Sequence, residues 1–240
     1  MNPERTLEAY SAIAPVYGEY SRQRQAYLDA VDAKVISSLR PGMRWLDIGA
    51  GDGRRLAKIQ SATGIQDIHA IEPSSGMANV CRTQLQVPVH EVCAENIDQL
   101  DIGQFDAVTA LWNVFGHVTS PEKRLTAMTH IAAKMKTDAV FIIDVNNRHN
   151  ARSYGTFNVF KRIVVDTLAF DVTRGDASYE WKIGDQTFQS SGHLFTPGEI
   201  EKLFAGAGLR VHERLSFDYE TGQASSSPYK GQLFYTLKKR

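Results

Sequence analysis

The sequence predicts an α/β fold of the doubly wound kind, with parallel strands joined by helices that cover both faces of one sheet. Three observations carry this. Short apolar runs alternate with helical patterns from residue 27 to 145, and again from 196 to 238. The run Trp45-Leu46-Asp47-Ile48 ends in a loop with glycines at alternate positions, Gly49, Gly51 and Gly53. Between residues 148 and 195 the alternation lapses, so this stretch reads as an insertion in a single domain covering 1–240.

An N-terminal helical region over residues 1–26 comes first. A helix over 27–39 follows, stopped by Pro41-Gly42. The first strand is 44–48 and its helix 54–62. A second strand, 68–71, leads to a helix over 75–85, with Ser74 or Ser75 as cap because a serine oxygen can accept a first-turn N–H. Residues 87–92 form the third strand. The fourth, 105–111, is almost continuously apolar, as a strand buried on both faces must be. A helix over 122–136 precedes the fifth strand, 139–145. Within the insertion, 167–172, 178–183 and 187–195 read as antiparallel strands, separated by turns at Arg174-Gly175-Asp176 and Gly184-Asp185. Thr196 caps a helix over 197–207, with Pro197 suited to its first turn. Residues 209–217 and 232–238 are the last strands, joined through Ala224-Ser225-Ser226-Ser227-Pro228.

Composition narrows the function. A hydrophobic content of 42% and a charged content of 22% are those of an ordinary globular protein. The 27 basic and 27 acidic residues cancel, which weighs against nucleic acid as a partner. Cys81 and Cys93 make neither a disulfide framework nor a metal knuckle. No apolar run is long enough to span a bilayer, and Met1-Asn2-Pro3-Glu4-Arg5 lacks a secretory pattern. No membrane association and a cytoplasmic location are the expectation.

The glycine loop is where chemistry enters. Glycines after a strand let a ligand approach the backbone. A nicotinamide fingerprint needs its last glycine three places after the second, but Gly53 follows Gly51 by two. Asp47 precedes the loop, where a carboxylate disfavours pyrophosphate and favours an ammonium group. S-adenosyl-L-methionine carries one. Glu72, directly after the second strand, can accept hydrogen bonds from both hydroxyls of a ribose.

With these residues in place, the segment Trp45–Gly53 resembles the first motif of the class I S-adenosylmethionine-dependent methyltransferases of the small-molecule type. The resemblance implies a Rossmann-like seven-stranded sheet whose last strand is antiparallel. It implies that Asp47, Gly49, Ala50, Gly51, Glu72 and Pro73 hold the cofactor, with Met77 against the adenine face. Cys93-Ala94-Glu95 resembles the adenine-edge segment, but Cys93 stands where an aspartate is usual, leaving Ala94 and Glu95 to read the base. The aromatic N-terminus, with Tyr10 and Tyr17, resembles a lead-in helix that folds over the cofactor. Arg22 or Arg24 would reach the methionine carboxylate.

The acceptor should lie beside Leu111-Trp112-Asn113-Val114-Phe115-Gly116-His117. Leu111 and Trp112 would wall the cofactor, Asn113 would hold a polar acceptor, and His117 would act as base because imidazole titrates near neutrality. The Asn/Asp-Pro-Pro-aromatic segment of base methyltransferases is absent. Nothing acidic stands near Asn113 to complete a metal site with Asp144, so no metal is expected. At the entrance of the inserted segment His149, Arg152 and Tyr154 are further acceptor-binding candidates, with His193. The aromatics Phe157, Phe160, Phe170, Tyr179, Trp181 and Phe188 suit either an acceptor pocket or a homodimer interface. The resulting expectation is an enzyme methylating a nitrogen or oxygen of a small-molecule acceptor. A protein or RNA methyltransferase, or a noncatalytic cofactor-binding protein, is the alternative; a nicotinamide oxidoreductase is more distant.

Overall fold

Sheet order explains where a ligand can bind, and it follows from the strands themselves. The structure, a computed structural model, describes residues 3–183 and 186–240. The strands are β1 (Arg44–Ile48), β2 (Asp67–Ile71), β3 (Val89–His90), β4 (Phe105–Ala110), β5 (Met135–Val145), β6 (Asp176–Ile183), β7 (Gln186–His193), β8 (Leu209–Phe217), β9 (Ala224–Ser225) and β10 (Gln232–Lys239). The main sheet runs β3-β2-β1-β4-β5-β10-β8-β9. Strands β1 to β5 pair in parallel, whereas β10 is antiparallel to both β5 and β8. This is the expected seven-stranded sheet with an antiparallel last strand, extended by the two-residue β9. The order reverses between β1 and β4, and ligands of open α/β sheets bind beyond the carboxyl ends at such a switch.

The helices are α1 (Pro3–Ile13), α2 (Tyr17–Arg22), α3 (Gln25–Ser38), α4 (Arg54–Thr63), α5 (Ser75–Gln84), α6 (Pro121–Lys134), α7 (Ala151–Tyr154), α8 (Thr156–Leu168) and α9 (Pro197–Gly206). Side chains alternate across a strand, so each strand feeds two cores. Leu46, Val108, Phe141 and Ile143 meet Met128 and Ile131 of α6 and Ile200 and Phe204 of α9. Trp45, Ala107, Ile142 and Phe234 meet Tyr27 and Val31 of α3 and Leu56 and Ile59 of α4. Caps fall where serine and threonine invite them: Ser74 accepts from the Met77 N–H, and Thr196 with Glu199 forms a full capping box.

Three expectations need correction. The third strand is only Val89–His90, and the fifth begins at Met135 rather than 139. The insertion is half helical. Residues 156–168 form α8, with Phe157, Phe160, Val164 and Leu168 spaced by three and four, and only β6 and β7 make an antiparallel hairpin. The expected strand over 167–172 is the end of α8 and the approach to a 3-10 turn at Val172–Gly175. The expected Gly184-Asp185 turn lies outside the described residues.

Candidate active site

The loop after β1 is built on backbone that only glycine adopts cheaply. Gly49, Gly51 and Gly53 have φ of +73°, +58° and +79°. Gly49 and Ala50 both donate to the Ile71 carbonyl, at 2.7 and 3.0 Å, tying the loop to the end of β2. A Cβ on Gly49 would lie 2.4 Å from Val114 Cγ2, and one on Gly53 would lie 2.8 Å from Cys81 Sγ. Gly51 faces open space apart from the Tyr17 ring at 3.8 Å. Gly49 and Gly53 therefore shape the turn against its neighbours, and the Gly51 backbone stays accessible beneath Tyr17.

Two buried carboxylates flank this loop. Thr109 Oγ1 donates to Asp47 and itself accepts the Trp45 indole N–H at 2.7 Å. Burial pushes Asp47 up to about 6. Glu72 accepts from the Gly51 and Ser74 N–H groups, at 2.8 and 2.9 Å, yet burial still pushes it up to about 7, helped by Asp47 and Asp52. Asp52 has a buried oxygen, Oδ2, without a hydrogen-bond partner; Arg54 Nε lies 3.3 Å from it. Three acids around one cavity form a site that wants a cation and hydroxyl donors.

The same cavity brings together Tyr10, Tyr17, Ala50, Pro73, Ala94, Glu95, Leu111, Trp112 and His117, all candidates from the sequence. Arg22 and Met77 are not on its wall. Arg22 is exposed and donates to the Gly18 carbonyl at 3.3 Å, while Met77 is fully buried with Ala9, Ile13 and Trp181. Arg54 and Arg55, unmarked in the sequence, line the cavity instead. Gly18 makes room for Arg54: a Cβ there would sit 1.1 Å from its guanidinium. Arg24 pairs with Glu220 and covers the Tyr219 ring at 4.6 Å.

The turn after β4 is held under strain. Trp112 and Asn113 both have φ of +64°, a conformation that side chains with a Cβ rarely take. Asn113 Oδ1 accepts the Asn146 N–H at 2.9 Å, so this oxygen ties the two strand ends together. His117 joins three elements. Its Nδ1 lies 3.0 Å from the Ser191 carbonyl on β7, and its Nε2 lies 2.9 Å from the Tyr10 hydroxyl on α1. A carbonyl only accepts, so Nδ1 carries the hydrogen and Nε2 presents a lone pair. Burial lowers the His117 pKa, keeping the ring neutral. Tyr10 also meets Trp181 edge-to-face with centroids 4.7 Å apart, which closes α1 onto the hairpin.

The remaining acceptor candidates stand elsewhere. His149 bonds Asp166 at 2.9 Å, and Arg152 pairs with Asp218 at 3.0 Å. The Tyr154 ring lies under Arg162 at 4.3 Å. His193 is fully buried between Asp176 and Glu199, 2.7 Å from each. These groups anchor the insertion. Among the described residues no group of three or more His, Cys, Asp or Glu is placed to hold a metal ion.

The Rossmann-like sheet and a glycine loop flanked by acids at its switch point define a methyltransferase of class I architecture. A family model described as a methyltransferase domain matches residues 20–214, and the chain belongs to that family. A search of curated proteins found no match. Solved structures share the fold at low identity. The CcbJ methyltransferase from Streptomyces caelestis is 15% identical with a TM-score of 0.63, over 88% of this chain and 89% of that one. The sugar N-methyltransferase KedS8 from a Streptoalloteichus species is 21% identical with a TM-score of 0.58, over 93% and 92%. S-adenosylmethionine-bound CalS10, an amino pentose methyltransferase from Micromonospora echinaspora, is 17% identical with a TM-score of 0.59, over 94% and 97%.

Proposed function

We propose that the protein transfers a methyl group from S-adenosylmethionine to a nitrogen or oxygen of a small-molecule acceptor. The observation that carries this reading is the pair Asp47 and Glu72. They are buried at the ends of adjacent strands beside a glycine loop, and burial raises both pKa values. An ammonium group near Asp47 and a ribose diol at Glu72 would satisfy the two acids, so the residues fit this cofactor. When bound, the cofactor supplies a methyl group activated on a sulfonium. Pro73, Ala94, Glu95 and Leu111 would enclose its base, and Arg54 or Arg55 would meet its carboxylate in place of Arg22.

On the acceptor side, His117 Nε2 would exchange the Tyr10 hydroxyl for the acceptor and take the proton released as it is methylated, with the Ser191 carbonyl fixing the tautomer. Tyr10 and Tyr17 would exclude water, so residues 1–26 and 148–195 act as two lids that meet at Tyr10 and Trp181. Trp112 would wall the cofactor, and Asn113 would position the turn through its Oδ1. The likeness to a sugar N-methyltransferase and an amino pentose methyltransferase supports a small polar acceptor. The zero net charge supports that over nucleic acid, and no described helix is long and apolar enough to cross a membrane.

Calorimetric titration tests the donor: S-adenosylmethionine should bind and NADH should not, and the reverse would overturn the reading. Transfer of labelled methyl into a metabolite extract should then identify the acceptor class. Label recovered only in protein or RNA would reject a small molecule.

A further inference from the structure

Helix α8 presents an apolar face that the chain leaves uncovered. Phe157, Phe160 and Leu168 are 69%, 63% and 81% exposed, and Val164, Val165 and Phe170 are exposed beside them. The spacing of 157, 160, 164 and 168 puts those four on one stripe. On the other side of the helix only Val159 is buried. We propose that this stripe is a homodimer surface, with α8 of one copy packed antiparallel on α8 of a second. The proposal is independent of the methyl acceptor and of the donor.

Area and charge favour a second copy. Side chains of this size at these exposures amount to roughly 600 Å² per copy, since a fully buried aromatic contributes about 150–250 Å². That is at the top of the roughly 300–600 Å² typical of the largest apolar patch on a monomer. Self-pairing doubles it to about 1,200 Å², the lower bound for a specific interface. A heterologous contact would leave one copy's stripe exposed, whereas a two-fold contact covers both. With the axis at Val164, that residue meets its own counterpart and Phe160 meets the partner's Leu168. A lipid surface is the competing occupant, but interfacial helices carry a strongly basic polar face. Here Lys161 and Arg162 are the only basic residues of α8, too few to make such a face. Lys161 Nζ lies 4.3 Å over the Phe157 ring.

Sedimentation velocity on the full chain at tens of micromolar should give twice the 26.7 kDa monomer mass. The double variant Phe160→Glu, Leu168→Glu should halve the mass while leaving the far-ultraviolet circular dichroism unchanged, because both side chains face solvent within one copy. Val164→Cys in a Cys93→Ser background should form an intermolecular disulfide with diamide, the result expected only if Val164 sits on the axis. A monomeric wild-type protein would overturn the proposal, as would a dimer that survives the glutamates without forming the crosslink. A monomer that co-floats with phosphatidylcholine vesicles would assign the stripe to lipid instead.

Discussion

The Asp144 carboxylate at the end of β5 accepts the backbone N–H of Trp112 at 2.6 Å, and so holds a turn that two consecutive residues would otherwise avoid. Left-handed backbone in non-glycine residues costs about 1–3 kcal/mol each and persists only where the surroundings enforce it. The other carboxylate oxygen of Asp144 accepts from the Tyr27 hydroxyl, and the charge of Arg55 favours its ionised form against the opposing effect of burial. Helix α3 is thereby joined through one side chain to the wall of the cavity. Asp144→Ala leaves the half-buried Trp112 N–H and the buried Tyr27 hydroxyl without their acceptor, at about 1–3 kcal/mol apiece. Urea unfolding should show a loss of about 2–5 kcal/mol. An unchanged midpoint would mean that the turn needs no such support.

Gly49 tests the loop itself. An alanine there must take φ near +73° and place its Cβ 2.4 Å from Val114 Cγ2. The backbone term alone is about 1–2 kcal/mol. Gly49→Ala should therefore destabilise the protein by more than that and weaken cofactor binding. Adding Val114→Ala should recover part of the loss, the part due to the clash. Rescue to full stability would show that the left-handed backbone costs nothing here.

The contrast between this loop and the inserted segment shows what a sequence exposes. Glycines at 49, 51 and 53 are readable because one residue type serves positive φ, and all three have it. Strand 44–48 is readable because an apolar run ends abruptly in a glycine turn, and strand 209–217 because Leu209, Val211, Leu215 and Phe217 alternate with polar residues. Residues 156–168 mislead because Val159, Ile163, Val164 and Val165 favour strands locally, while the spacing of Phe157, Phe160, Val164 and Leu168 is helical. Arg54 and Met77 depend on which way a side chain turns in three dimensions. Arg54 enters the cavity because Gly18 yields space, and Met77 leaves it for the packing beneath α1.

Glu72 and Asp47 should make cofactor affinity depend on pH. The folded Glu72 value of about 7 exceeds the ordinary 4.5 of a glutamate, and Asp47 at about 6 exceeds the ordinary 3.8 of an aspartate. Folded-state values raised in this way mean stability that is full below the unfolded values and lost as pH rises through the folded ones. A ligand bringing an ammonium group and hydroxyls binds the ionised acids and reverses that loss. Calorimetric affinity for S-adenosylmethionine should accordingly strengthen from pH about 6 to about 8, by roughly tenfold for one pKa unit of coupling. Glu72→Gln should flatten the profile, and Asp47→Ala should weaken binding by about 10–100-fold, the worth of a charged hydrogen bond. Affinity independent of pH in the wild type would remove both acids from the cofactor site.

His117 holds two possible roles in one geometry, and two substitutions separate them. As a general base it contributes through the Nε2 lone pair once the acceptor takes the place of the Tyr10 hydroxyl there, worth about 10²–10⁴ in rate. As a latch it contributes through the Tyr10 contact at 2.9 Å, which joins α1 to the end of β4. Tyr10→Phe removes the latch and leaves the imidazole, still oriented by the Ser191 carbonyl. His117→Ala removes both. On the proposed mechanism His117→Ala should lower kcat at least about 100-fold with cofactor affinity nearly unchanged, while Tyr10→Phe costs much less. The wild-type rate should rise with pH through a pKa below the ordinary imidazole value of 6.5, because burial favours the neutral ring, and then level off. That rise should be kept in Tyr10→Phe and absent in His117→Ala. Equal losses in the two variants, with the rise kept in both, would make His117 a fastener for the lid, and the proton would then leave the acceptor for solvent.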